Sequence, residues 1–173
     1  MAQGNNITDP DYMIAFYDFH DNYAQLDQLF TNHYIRFRQQ NDCLQFVYQH
    51  NQLDKIALFL PGNIADDIIR YTGHLQYVSY YIYCANKQLL NNLQQLYRSQ
   101  TIYKVFSEER LRIQLRLVYA LFCLEKEEIH RHQDDDELGD LSLLSAIENY
   151  SAAREDLTTH MTVQMGQQPV EFL

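Results

Sequence analysis

The chain has 173 residues, of which 46% are apolar, and it carries a formal net charge of −10. This length and apolar content are typical of one folded domain and exclude a largely disordered chain. The acidic balance argues against nucleic-acid binding over a broad surface and against binding to anionic membranes, because both need clustered lysine and arginine. We therefore expect no broad nucleic-acid binding and no membrane among the partners.

The cysteines and the N-terminus indicate a cytoplasmic location. Cys43, Cys84 and Cys123 are odd in number, lie about 40 residues apart and form no CxxC motif, so a disulfide framework is not expected. The polar residues 1–9 lack the pattern of a signal peptide. We interpret residues 1–9 as a flexible leader, residues 10–165 as a single helical domain and residues 166–173 as a C-terminal tail.

Apolar residues recur at steps of three and four along most of the chain, which is the period of one helix face. Glycine and proline are few, which also favours long helices over a many-stranded fold. In chain order, the spacing predicts helices over 11–39, 63–70, 74–98, 107–130 and 141–161, with a charged loop over 133–140.

The stretch 44–60 is ambiguous. It is compatible with a helix, and also with two strands that form a small hairpin within 43–60. We favour the helix because the rest of the chain is predicted to be helical. The predicted fold is all-α, an irregular bundle of about six helices with two long central ones at about 74–98 and 107–130. The alternative is α+β, with the hairpin at 43–60.

A run of acidic residues follows the second long helix. Asp134, Asp135, Asp136 and Glu137 form its densest part. Such a run is a candidate docking surface for a basic protein partner, and the alternative is a solvated loop without a function.

Two carboxylate–histidine pairs form a candidate metal site. Glu127 and His130 are three residues apart on one predicted helix, and Asp156 and His160 are four apart on another. Spacings of this kind place both ligands on one helix face, as in metal sites of helical bundles. These four residues are the candidate ligands of a divalent metal, although we favour a charged and solvated helix end as the explanation of Glu127 and His130. No other cofactor is predicted.

Tyrosines are concentrated in residues 77–84. On a helix, Tyr77, Tyr80 and Tyr81 share one face, where they would line a pocket for an aromatic ligand, form an interface or pack in the core. A helix that is apolar nearly all round needs cover on several sides, so we expect a homo-oligomer, specifically a two-fold dimer. Arg112 and Arg116, one helical turn apart, are candidates to pair with the acidic loop of another subunit.

No sequence motif identifies an enzyme: glycine-rich phosphate loops, GxSxG and HExxH are all absent from the sequence. We therefore expect a non-enzymatic interaction or regulatory protein with an acidic surface. The alternatives are a metal-dependent enzyme that uses the carboxylate and histidine residues, and a binding module for an apolar or aromatic small ligand.

Overall fold

The computed structural model describes residues 12–30, 33–53, 55–98 and 103–166. The chain divides into two compact units, with the boundary between Glu108 and Glu109. In chain order the described elements are β1 (Tyr12–Tyr17), a 3-10 helix (Ala24–Gln28), β2 (Tyr34–Phe37), α1 (Gln40–Gln49), β3 (Lys55–Pro61), α2 (Ala65–Thr72), β4 (Val78–Cys84), α3 (Lys87–Leu96), β5 (Tyr103–Ser107), a 3-10 turn (Glu108–Arg110), α4 (Leu111–His132) and α5 (Asp136–Gly166).

The five described strands run parallel in one sheet, whose order is β2-β1-β3-β4-β5. β1 pairs on both sides, with Ala15 opposite Ile35 of β2 and opposite Leu58 of β3. The chain thus leaves β1 in one direction to form β2, and then crosses back over β1 to form β3, β4 and β5. This is a doubly wound α/β fold.

The prediction of an all-α bundle is therefore wrong. The predicted helix 11–39 contains β1, a 3-10 helix and β2, and the predicted central helix 74–98 contains β4 followed by α3. Central parallel strands are buried on both faces, so they consist of continuous apolar runs without the alternation of an exposed strand. Short runs of this kind cannot be distinguished from buried helix by periodicity. Few glycines and prolines are needed, because helical crossovers replace tight hairpin turns.

The ambiguous stretch 44–60 is neither one helix nor a hairpin. Its first part belongs to α1 and its second part to β3, which pairs in parallel with β1 and β4. The α+β alternative with a hairpin at 43–60 is therefore also wrong. Two other predicted helices are confirmed, because α2 covers most of 63–70 and α4 covers most of 107–130.

The core of the first unit lies between one face of the sheet and helices α1, α2 and α3. Ile56, Leu58 and Leu60 alternate along β3 on this face, and all three are fully buried. The same core includes Cys43 and Cys84, as expected for cysteines that act as small apolar residues.

The connection from β1 to β2 packs against the opposite face of the sheet. Its Leu26 and Phe30 are buried, and Phe30 contacts Tyr34 with ring centroids 5.5 Å apart. The ring of Phe16, which lies on this face, contacts Tyr23 at 5.6 Å. Right-handed crossovers require this arrangement, because β1 to β2 runs in the opposite direction to the later connections.

The second unit is a hairpin of α4 and α5. The predicted last helix, 141–161, is longer than expected and begins at Asp136, which shortens the predicted loop 133–140 to three residues. Asp135 caps it, since its Oδ1 accepts a hydrogen bond from the Leu138 amide at 3.1 Å. The buried Ala146 and Ala153 lie two turns apart on α5. Small residues at this spacing allow two helices to pack closely.

The predicted leader 1–9 lies outside the described residues, and so does the predicted tail from residue 167 onward. Among the helices that the structure describes, none combines the length and the apolar character needed to cross a membrane.

Alkaline pH is expected to destabilise the first unit through its buried tyrosines. The Tyr80 hydroxyl donates to Thr72 Oγ1 at 3.0 Å, and burial raises the pKa of Tyr80 to about 12. In the unfolded chain the Tyr80 hydroxyl loses its proton near pH 10. Its contribution to the free energy of unfolding is therefore fully present below pH 10, and it falls by about 1.4 kcal/mol per pH unit as the pH rises from 10 to 12. Urea unfolding across this range should show a shallower decline for Tyr80→Phe than for the wild type. Tyr71→Phe, at an exposed tyrosine, should leave the decline unchanged.

Candidate ligand cleft at the carboxyl edge of the sheet

A cleft of about 230 Å³ lies at the carboxyl edge of the sheet, within the first unit. Because the strands are parallel, the loops that follow β1, β3 and β4 meet at this edge, and each contributes to the lining. In doubly wound sheets, ligands bind in the crevice where connections leave neighbouring strands in opposite directions. Here β1 and β3 are those strands, so the cleft occupies the position where this fold binds ligands.

The loop after β1 is organised by Asp18, which is 1% exposed. Its Oδ1 accepts from the Asn22 amide at 3.0 Å and its Oδ2 accepts from the Tyr23 amide at 2.9 Å. The turn also contains Asp21 with a φ of 56°, a left-handed conformation that aspartate tolerates better than most residues. Asp18 thus fixes the backbone of the residues that form one wall of the cleft.

Arg36 of β2 binds the carboxylates of this loop. Its side chain is 7% exposed, and Nη1 donates to Asp18 Oδ2 at 3.2 Å. Nε and Nη2 donate to the carboxylate of Asp27 at 2.8–3.1 Å, and Nη1 also donates to Asp21. The bond from Arg36 holds the pKa of Asp21 below its usual range. One guanidinium therefore binds three carboxylates and holds both ends of the β1–β2 connection together.

Aromatic rings form much of the cleft wall. Phe19 is 60% exposed and stands edge-on to the His20 imidazole, with ring centroids 4.6 Å apart. Deeper in the cleft, Tyr23 and Tyr83 pack edge to face at 6.0 Å. The Tyr83 hydroxyl donates to the Tyr17 carbonyl at 2.9 Å, and burial raises the pKa of Tyr83, with a smaller contribution from the charge of Asp18. A flat ligand would find both an exposed ring at the rim and fixed rings inside.

The loops after β3 and β4 approach each other closely at Gly62. Its amide donates to the Tyr83 carbonyl at 2.8 Å, and a Cβ at this position would overlap Cys84 Sγ. Asn86 then caps α3, since its Oδ1 accepts from the amides of Gln88 and Leu89 at 2.9 and 3.0 Å. Only glycine fits between these loops without a shift of the neighbouring strand end.

The charges at the cleft disfavour an anionic ligand. Glu108 brings a carboxylate to the lining, whereas the carboxylate of Asp18 is paired with Arg36. No lysine or arginine is among the described residues that line the cleft. The loop after β3 leads into α2, whose first turn carries Asp66 and Asp67. Acidic residues there oppose the attraction of a helix N-terminus for anions. A bound phosphate or carboxylate would thus lack a lysine or arginine partner among the described lining residues.

The predicted metal ligands lie on both helices of the second unit. Glu127 and His130 belong to α4, where Glu127 pairs with Arg131, and Asp156 and His160 belong to α5. Asp156 Oδ2 accepts from Arg112 and Arg116 at 3.1 and 3.0 Å, and His160 lies 3.5 Å from Glu109. Within the described ranges, no three His, Cys, Asp or Glu side chains are grouped to hold a metal ion.

Arg112 and Arg116 thus pair within their own chain. The acidic loop expected to pair with them from another subunit is partly engaged as well: Asp135 caps α5, and Asp136 lies 3.5 Å from Arg131. Asp134 has a φ of 59° in the turn between the helices, and Glu137 is exposed in the first turn of α5. Docking of a basic partner to Asp134–Glu137 stays a prediction.

The three tyrosines predicted to share one face do not all do so, although Tyr77 and Tyr80 pack into the same core. Tyr80 and Tyr81 are neighbours on β4 and point to opposite faces of the sheet, where Tyr80 is fully buried and Tyr81 stacks on Phe59 at 4.6 Å. Tyr77 precedes the strand, and its hydroxyl donates to the Val47 carbonyl at 3.1 Å. The tyrosine of this segment that lines the cleft is Tyr83.

Comparison with known proteins does not assign this chain to a family. No family model matches the sequence, and no curated protein and no solved structure matches it significantly.

The cleft residues carried a signal that periodicity alone does not reveal. Each of the runs ending at Tyr17, Pro61 and Cys84 is short, apolar and rich in aromatic or β-branched residues, and each is followed by polar or turn-forming residues. Interpreted as buried parallel strands, these runs bring their following loops to one edge. Arg36 had no such signal, because its contacts with Asp18 join residues 18 positions apart in the chain.

Proposed function

We propose that the first unit is a binding module for a small, flat ligand that is neutral or positively charged, and that the ligand binds in the cleft at the carboxyl edge of the sheet. The proposal is carried by one observation: a partly aromatic cleft lies at the β1/β3 crossover point, and its described lining contains the carboxylate of Glu108 but no lysine or arginine. Binding sites generally combine apolar walls with a few fixed polar groups.

The volume and the contacts narrow the ligand class further. At about 230 Å³, the cleft is smaller than the roughly 300–1,000 Å³ typical of sites for drug-sized molecules, so the ligand has the size of a single ring with a polar substituent. The exposed ring of Phe19 offers a stacking partner, and stacking on it favours a flat or cationic group. The carboxylate of Glu108 accepts hydrogen bonds and therefore suits an amino, amide or amidine substituent.

Three probes of the same shape test this proposal: benzamidine, benzamide and benzoate, which differ in charge. We expect benzamidine and benzamide to shift the NMR signals of backbone amides in the loops 18–23 and 62–64. With about nine non-hydrogen atoms each, they should bind with a Kd of about 1 mM. Benzoate should bind at least about tenfold more weakly, because like charges repel.

Two variants assign the contacts. Phe19→Ala should weaken both binding probes, whereas Leu96→Ala, at a residue exposed to the same degree on α3, should not. Glu108→Gln should remove the preference for benzamidine over benzamide. If neither benzamidine nor benzamide shifts the loop amides, the proposed site is wrong. If benzoate binds most tightly, the proposed charge class is wrong.

A further inference from the structure

Helix α5 keeps a large apolar surface exposed. Leu144 and Ile147 are each 53% exposed and Tyr150 is 37% exposed, although the helix already packs against α4 through the buried Ala146 and Ala153. A helix that is apolar on more than its packed side usually has a second partner. Which partner fits depends on the charges beside these residues.

Two opposite charges lie at equal distances on either side of Ile147. Asp140 precedes Ile147 by seven residues and Arg154 follows it by seven, and all three are exposed. Seven residues are close to two helical turns, so the three side chains lie in one row along the helix. The row has an acid, Asp140, at one end and a base, Arg154, at the other. Two copies of the row are therefore complementary in charge when they run in opposite directions.

We propose that this face binds a second copy of the chain, with the two α5 helices antiparallel around a two-fold axis near Ile147. In that arrangement Asp140 of each copy faces Arg154 of the other, and Leu144 faces Tyr150. The same patch serves both copies, as a two-fold interface requires. Parallel packing would instead place like charges opposite each other.

The ion pair within the chain is compatible with this contact. Asp140 Oδ1 accepts from Arg131 Nη2 at 2.8 Å, and the Asp140 side chain remains 73% exposed. An ionised carboxylate accepts several hydrogen bonds, so its second oxygen can accept from the guanidinium of the other copy. The carboxylate of Asp140 would then lie between Arg131 of its own chain and Arg154 of the other copy.

The size of the surface sets the strength of the dimer. Antiparallel overlap of residues 136–158 covers about 33 Å of helix, but the interface is only one helix wide. Such a contact falls at the lower end of the area of specific interfaces, about 1,200 Å² in total. We therefore expect a reversible dimer with a Kd on the order of 10 μM.

Charge reversal tests the register by sedimentation equilibrium of the full chain between about 1 and 300 μM. The wild type should approach twice its mass of 20.6 kDa. Arg154→Asp places acids opposite acids and should raise the Kd at least about tenfold. Asp140→Arg should do the same and also removes the pair with Arg131. The double variant Asp140→Arg/Arg154→Asp should bind more tightly than either single reversal, because opposite charges again face each other across the two copies.

Glu155→Lys is the matched control, because this residue is exposed and adjacent to Arg154 but lies about 100° around the helix. It should leave the Kd unchanged, and far-UV circular dichroism should show intact helices in every variant. A wild type that stays monomeric at 300 μM would overturn the proposal. So would a dimer that withstands both Arg154→Asp and Ile147→Asp, or a double variant that binds no more tightly than either single reversal.

Discussion

Replacement of Arg36 by methionine is expected to lower the free energy of unfolding of the first unit by about 3–5 kcal/mol at neutral pH. Methionine is similar in length but carries no charge, so the buried carboxylate of Asp18 would lose its cationic partner at 3.2 Å. Asp27 would lose its bonds to Nε and Nη2 at the same time. Urea unfolding followed by circular dichroism measures the loss, and hydrogen exchange of the β1 amides assigns it to this unit.

Two further variants separate charge from packing. Arg36→Lys should recover part of the loss, because lysine restores the charge but not the planar fork that reaches several carboxylates. The double variant Arg36→Met/Asp18→Asn should cost less than the sum of its two single changes, because either change alone already removes the ion pair. If Arg36→Met unfolds like the wild type, the cluster around Asp18 does not stabilise the β1–β2 connection.

Replacement of Gly62 by alanine is expected to cost about 1–3 kcal/mol, the usual range for overpacking. The new Cβ would overlap Cys84 Sγ and lie 3.1 Å from Leu93 Cδ1. Cys84 is 4% exposed and its sulfur is one bond from Cβ, so it has little freedom to move aside. The strand ends would have to separate at the floor of the cleft, and binding of benzamide should weaken in parallel.

A double-mutant cycle with Cys84→Ala identifies the cause. Removal of the sulfur makes room for the Cβ, so Gly62→Ala should cost less in the Cys84→Ala background than in the wild type. Independent effects would simply add. An equal cost in both backgrounds would mean that the overlap with sulfur is not the source of the loss, and that the contact with Leu93 or the backbone is.

Composition and periodicity predicted the helical parts of this protein well and the sheet poorly. α2 and α4 were found because each has polar residues on one side, and this contrast gives a helix its period. The strands β1, β3 and β4 lie in the interior of the sheet, where both faces are covered, and thus lose the alternation that identifies a strand. Strand-length apolar runs at 12–17, 55–61 and 78–84 were therefore assigned to long helices.

The candidate cleft depended even more on tertiary structure. The sequence indicates that Pro61 and Gly62 end an element, and that Asp18 and Asn86 stand among turn-forming or polar residues. The sequence does not indicate that these positions lie close together. They do so because β1, β3 and β4 pair in parallel, which brings the residues that follow each strand to one edge of the sheet. For the predicted metal ligands, the spacing along the chain correctly indicated one helix face. The spacing does not indicate that Glu127 pairs with Arg131 and Asp156 with Arg116.

The sequence by itself determined the acidic charge, the apolar content needed for a core, and the helices whose two sides differ in polarity. Tertiary structure alone decided the strand order, the burial of Asp18 against Arg36, the need for glycine at position 62 and the exposure of Ile147. The physical reason is the range of the interactions. Helix formation and capping depend on residues within about four positions, whereas strand pairing, ion-pair burial and surface exposure depend on residues brought together from distant parts of the chain.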